Sequence, residues 1–157
     1  NGMPVVVMKA ADFGLTGQES RADLDGAEDL KARLEAIRRQ AGPMMNLGDV
    51  AEKTVPKLTL GSPPNHEGTL STRTFIPQRC HASIGVLGAV SVASACLLPE
   101  SPAASVAWGL DASPRALSLE HPSGEITILR DPGQSDQADS FSILRTARKL
   151  FDGTIYG

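Results

Sequence analysis

At 157 residues, with 41% apolar and 21% charged side chains, the chain has the composition of one globular domain with its own core. A formal net charge of −3 argues against a nucleic-acid groove, which needs a strong local excess of basic side chains. Aromatics are only 4%, so Val, Leu, Ile and Ala must fill the interior.

Asn1-Gly2-Met3-Pro4 reads as a turn, and Pro4 to Lys9 as a short buried strand. The lack of an initiator methionine and the abrupt end at Ile155-Tyr156-Gly157 suggest a piece of something longer, and nothing resembles a targeting segment. Gly14 to Gly17 is a loop with room for one helical turn. Asp23 to Gln40 follows a helical period, with Leu30, Leu34 and Ile37 on one face, and Gly42-Pro43 stops it. Arg33, Arg38 and Arg39 alternate there with Glu28, Asp29 and Glu35, which reads as a solvated face. Val55 to Gly61 is a strand that Pro56 places at a sheet edge or a strand start. Ser62 to Gly68 is a loop, and Thr69 to Phe75 a second strand.

From Ala82 to Leu98 there is no charged residue at all. A helix that is apolar on every side must be buried in protein or in a membrane. About seventeen residues at about 1.5 Å rise fall short of a bilayer core, and Ser83, Ser91 and Ser94 further weaken a membrane reading. The stretch therefore predicts a central helix wrapped by sheet. Its N-terminus, beside Arg73, Arg79 and His81, is aimed at a carboxylate or phosphate. Pro99 and Pro102 end it. Cys80 and Cys96 lie about four turns apart on this helix and cannot bridge, which implies free thiols and a reducing compartment, the cytoplasm.

Arg115 to Glu120 and Glu125 to Arg130 flank the tight turn His121-Pro122-Ser123-Gly124 and form a hairpin. Asp131 to Ala138 is a polar loop. Ser140 to Arg148 alternates as a strand, with Thr146 to Phe151 open to a helical reading, and Thr154 to Tyr156 belongs to one more strand. The order of elements gives an α+β fold, a curved, mostly antiparallel sheet closed around the apolar helix. Strand and helix do not alternate strictly, which argues against a doubly wound parallel sheet.

Several separated runs, in order, resemble the C-terminal half of the PrpF-like family. They are Asn1-Gly2-Met3-Pro4-Val5-Val6, Asn46-Leu47-Gly48-Asp49-Val50, Thr54-Val55-Pro56-Lys57, Arg73-Thr74-Phe75-Ile76-Pro77, His81-Ala82-Ser83, His121-Pro122-Ser123-Gly124 and Arg145-Thr146-Ala147-Arg148. The resemblance covers essentially the whole chain. It implies a cofactor-independent isomerase of an unsaturated tricarboxylate, foremost the keto–enol or allylic tautomerisation of 4-oxalomesaconate in aromatic-acid breakdown. Methylaconitate or aconitate isomerisation and a non-catalytic anion-binding module are the alternatives. The implied fold is that of diaminopimelate epimerase, two similar lobes with the active site in the cleft between them. Residues 1–157 would then be a single domain, the C-terminal lobe, with the lysine and cysteine of proton transfer in an N-terminal lobe.

The candidate site residues follow from charge and placement. Ser83, with the N–H groups of His81, Ala82 and Ser83, would hold a substrate carboxylate at the helix start, unless the hydroxyl merely satisfies its own backbone. His81 would bind a carboxylate or polarise an enol oxygen, unless it bonds a loop carbonyl. Arg73 and Lys57 would supply the cations a tricarboxylate needs, unless they are ordinary strand side chains. Cys80, next to Arg79 and His81, would favour its thiolate as a catalytic group, against the alternative of an inert buried thiol. His66 and His121 read as solvent-facing, Met44 and Met45 as core. No metal-ligand spacing joins the histidines. The expected partners are a small tricarboxylate, the N-terminal half, and a second copy of the chain covering an exposed apolar cleft.

Overall fold

The computed structural model describes residues 3–111, 113–133 and 138–154. The expected Asn1-Gly2 turn, the centre of the Asp131–Ala138 loop and the Ile155-Tyr156 part of the last strand lie outside the described residues. Val5–Lys9 forms β1 and leads into a single 3-10 turn at Ala10–Phe13, closed by Gly14 in the left-handed region. Two helices follow, α1 (Arg21–Gly26) and α2 (Glu28–Met44). Then come β2 (Lys57–Ser62), β3 (Leu70–Phe75), α3 (Val86–Cys96) and the strands β4 (Ala116–His121), β5 (Gly124–Asp131) and β6 (Ser140–Ile143). The fold class is α+β, with six strands in chain order across one sheet.

The connections explain the layers. β1 runs parallel to β2, and β3 parallel to β4, while the other three neighbouring pairs are antiparallel. A parallel pair needs a crossover, and here each crossover carries helix: α1 and α2 between β1 and β2, α3 between β3 and β4. β3 runs opposite to β1, so two right-handed crossovers stepping the same way must lie on opposite faces of the sheet. They do. Leu24, Leu30 and Leu34 of α1 and α2 pack with Leu58, Leu60 and Phe75 on one face. Ala89, Val92, Ala93 and Cys96 of α3 pack with Leu70, Leu117, Leu119 and Ile128 on the other. Each fully buried Leu among these contributes about 1.5–3 kcal/mol.

Four sequence expectations change. The single helix over Asp23–Gln40 is two helices. Ser20 caps α1 by accepting from Asp23 N (3.2 Å) while the Asp23 carboxylate accepts from Ser20 N (3.2 Å), and Ala27, at φ −83° and ψ 80°, breaks the rod. Nor does Gly42-Pro43 stop α2. The helix runs on to Met44, because Gly42 lets Val50 pack against the helix backbone. Arg38 is not on a solvated face. It is 1% exposed, and its guanidinium donates to Val50 O (2.8 Å), Lys53 O (2.9 Å) and Val55 O (2.9 Å). The segment before β2 folds over the helix and supplies the carbonyls that make burial of this cation tolerable. Met44, expected in the core, is 84% exposed because it falls in the last turn, beyond the sheet.

After Ile143 the chain from Leu144 to Thr154 has no regular structure, so the strand expected through Arg148 stops early. Among the described residues no helix is long and apolar enough to cross a membrane.

Candidate functional site

Side chains alternate across a strand, so the register decides which candidates meet. Lys57 pairs with Val5 and Thr59 with Thr74, which places Lys57 on the α3 face. Arg73 pairs with Leu60 and lies on the α1–α2 face. The two cations expected to act together are on opposite sides of the sheet.

The apolar helix begins later than its composition suggests. α3 starts at Val86, with Gly85 as N-cap in extended geometry (φ −67°, ψ 146°) and no side-chain cap. His81, Ala82 and Ser83 are in a bend before it. There Ser83 N–H donates to His81 Nδ1 (3.1 Å), Ser83 Oγ lies 3.3 Å from the same nitrogen, and His81 N–H donates to Thr74 O (2.7 Å). Serine and histidine satisfying one another locally is a common competitor of helix. The Ser123 hydroxyl donates to Ala82 O (2.8 Å), tying the bend to the β4–β5 turn. Two of the expected helix-start donors are thus already engaged.

The free donors lie a turn further on. The first intrahelical bond of α3 is Ala89 N–H to Gly85 O (2.8 Å), so the N–H groups of Val86, Leu87 and Gly88 have no partner within the helix. This end is open to the surface: Val86 is 38% and Leu87 49% exposed. Beside it lies a pocket of about 260 Å³ lined by Met3, Lys57, Thr74, Ile76 and residues Ile84 to Gly88. Lys57 is the cation here. Burial pulls its pKa below the usual lysine range, and its ammonium has no ion-pair partner among the described residues. On the far side of the helix start, Ser83, Val86, His121, Glu125 and Arg145 border a second hollow of about 480 Å³.

Cys80 is not on the helix. It forms a bridge with Phe75, is buried with the α1–α2 core, and donates its own N–H to the Asp25 carboxylate (2.7 Å). Burial pushes its thiol up to about 11, against the pull of Arg73, so the expected thiolate is not favoured. Cys96 is buried on the opposite face, and both thiols are free. It is the sheet between them, rather than distance along one helix, that keeps them apart.

Sequence reasoning missed Glu120. It is buried on the outer face, where its carboxylate accepts from Asn65 N (2.7 Å), His66 N (2.8 Å) and Gly68 N (3.1 Å) and pins the β2–β3 loop. Burial alone would raise this carboxyl, but the three backbone donors and nearby His66 outweigh it and hold it below the ordinary carboxylate range. The available signal was an acid at an alternating strand position just before a turn. His121, expected in solvent, is half-buried at the end of β4, and burial lowers its pKa, helped by the charges of His81 and Arg73.

Comparison with known proteins places this geometry in context. The family model described as PrpF protein matches residues 1–157. A (4E)-oxalomesaconate Delta-isomerase of Novosphingobium sp. (strain KA1) is 54% identical over 99% of this chain and 44% of its own length. A 4-oxalomesaconate tautomerase of Pseudomonas putida is 51% identical over 99% of this chain and 43% of its own. The crystal structure of a methylitaconate-delta-isomerase superposes with a TM-score of 0.76 at 17% identity, covering 90% of this chain and 42% of that one, which establishes a shared fold. The chain spans less than half the length of the relatives it matches.

Proposed function

The chain belongs to the PrpF family, and on that premise we propose that it serves as the C-terminal lobe of an isomerase acting on an unsaturated tricarboxylate, 4-oxalomesaconate first among them. The names of the two relatives that are 54% and 51% identical favour that substrate. In this reading the sheet curves around α3 as one lobe of a diaminopimelate-epimerase-like protein, and a second lobe covers the open helix start. The shared fold supports this.

The observation that carries the reading is the uncapped start of α3 beside an unpaired lysine. Allylic tautomerisation removes a proton next to an unsaturated acid, spreads negative charge over a dienolate, and returns a proton elsewhere. Backbone donors fixed in place, with the positive end of a helix behind them, stabilise such charge as it develops. Lys57 adds a full charge at the same wall. The residues that move the proton belong to the other lobe in this proposal, because Cys80 is buried with its thiol pushed up to about 11 and His81 is held by Ser83. The protein is expected to work in the cytoplasm without a cofactor.

The test is the ultraviolet change of keto–enol conversion, measured on the complete protein with 4-oxalomesaconate. Lys57→Met is expected to raise KM by about tenfold, the loss of one charged hydrogen bond. A complete protein that turns over no unsaturated tricarboxylate overturns the proposal. In the isolated chain Val86 and Leu87 alone yield too little to hold a second copy, but together with the exposed Leu144, Leu150 and Phe151 of both copies they are expected to drive self-association, and a clean monomer by sedimentation at high concentration would count against that.

A further inference from the structure

The α1–α2 face of the sheet carries a further polar hollow, and a cation without a counter-ion borders it. Arg73 is only 7% exposed. Its Nε donates to Glu19 O (3.0 Å) and its Nη1 to Thr72 O (3.0 Å), with Ser71 Oγ at the limit of range (3.5 Å). Its Nη2 has no hydrogen-bond partner, and no carboxylate lies within ion-pair distance, among the described residues. A guanidinium this deeply buried and answered only by neutral oxygens is destabilising unless an anion completes it. Its planar fork suits a carboxylate.

The guanidinium borders a cleft of about 790 Å³ that also takes in Gln18, His66, Glu67 and Glu125. The lining of the cleft is otherwise acidic, with Glu67, Glu120 and Glu125 bordering the same space. Glu120 is already held by three backbone donors, so its charge is fixed but its oxygens are occupied. Glu125 spends one oxygen on the Ser118 hydroxyl (2.8 Å), and Glu67 makes no ion pair among the described residues. A simple dianion would be repelled by these three carboxylates, and a simple amine would meet Arg73. One ligand class satisfies both ends.

We propose that this cleft binds a small zwitterion of the amino-acid type, its carboxylate on Arg73 and its ammonium against Glu67 and Glu125. The cleft lies on the α1–α2 face of the sheet and shares His121 and Glu125 with the hollow beside the start of α3; binding of the zwitterion is read without turnover, so this proposal and the isomerase reading fail separately.

The experiment is a nuclear magnetic resonance titration of the full 157-residue chain, labelled with nitrogen-15, using L-alanine, propionate and ethylamine as probes. The last two are the first with one charged end removed. L-Alanine is expected to give saturable shifts at the amides of residues 65–68, 71–73, 120–121 and 123–125. Propionate and ethylamine should each bind more weakly by about tenfold or more, because neither can pair with both ends of the cleft. Arg73→Lys keeps the charge but loses the fork, and is expected to weaken L-alanine about tenfold. Gln18 is exposed at the rim, so Gln18→Trp fills the cleft without touching the core and abolishes the shifts even if the Arg73 variant does not fold. Propionate binding as tightly as L-alanine, or L-alanine shifts that persist unchanged in Gln18→Trp, overturns the proposal.

Discussion

Replacing Arg38 with methionine removes a charge while nearly preserving volume, and the structure says what is left behind. Three carbonyls, of Val50, Lys53 and Val55, lose donors at 2.8–2.9 Å, and Ala51 O loses a weaker one at 3.4 Å. Glu35 loses both hydrogen bonds from Arg38 (2.7 and 2.9 Å) but keeps Arg39 at 2.8 Å. Each charged hydrogen bond is worth about 1.5–3 kcal/mol, yet the bonds are not additive, because the 50–55 segment can relax toward water. The loss is therefore set by the buried cation network as a unit, about 3–5 kcal/mol. Exchanging both partners of a buried ion pair for apolar groups is often neutral, but here, besides Glu35, the partners are backbone carbonyls and cannot be exchanged. Urea unfolding followed by circular dichroism reads the midpoint, with an unchanged slope showing that the folded state itself is intact. Arg38→Lys, with one ammonium in place of the fork, should fall between the two. A methionine variant within about 1 kcal/mol of the parent refutes the reasoning, since one unmet carbonyl alone accounts for that much.

Glu120→Gln puts an amide donor among three backbone donors and should cost about 1–3 kcal/mol in the same assay. Glu120 has a folded pKa below its ordinary value, so its contribution is present above the unfolded pKa and lost as pH falls through the folded one. Melting curves across that acid window should therefore be less pH-dependent in the glutamine variant. Gly42→Ala gains about 1 kcal/mol of helix propensity but sets a Cβ 2.6 Å from both Val50 methyls. Val50 is buried and stiff at χ1, so the clash should win by about 1–2 kcal/mol, and Val50→Ala in the same chain should restore most of it. Cys80, with its thiol pushed up to about 11, should react with iodoacetamide at pH 8 only at the rate of local opening; labelling as fast as in denaturant would contradict its burial.

The strands were legible because their cues are local. Pro56 and the His121–Gly124 turn mark ends, and period-2 alternation marks faces. The apolar helix was legible as an object but not in its start, because hydropathy cannot distinguish a buried bend from a buried helix. The local bonding of His81 and Ser83 and the extended Gly85 decide that, and none of these is visible to hydropathy. Arg38 was misread for a related reason. A charge pattern cannot reveal that a later segment will bring carbonyls over one member of the set. The separation of Lys57 from Arg73 depends on which residue of β3 meets Leu60, a register that the loop and its Glu120 anchor fix from outside both strands.

The exposed start of α3 also bears on how its proposed cover must be attached. Fully burying Val86 and Leu87 would yield about 1.5–3 kcal/mol each from the fully exposed state, and they are already more than half buried. What remains to be gained is then about 1–3 kcal/mol. Free association of two bodies costs about 4–15 kcal/mol in lost rigid-body freedom before any side chain is ordered. An untethered cover resting on this apolar rim alone would therefore not stay bound. Leu144, Leu150 and Phe151 are exposed as well, and they lie on the irregular segment after β6. A cover that also engaged them would raise the apolar gain roughly three- to fourfold. Even so, a lobe in the same chain has the advantage, because a tether replaces free concentration by an effective one in the millimolar range. For the proposed second lobe the energetics thus favour a covalent join over a separate subunit, and the matched relatives are more than twice as long as this chain.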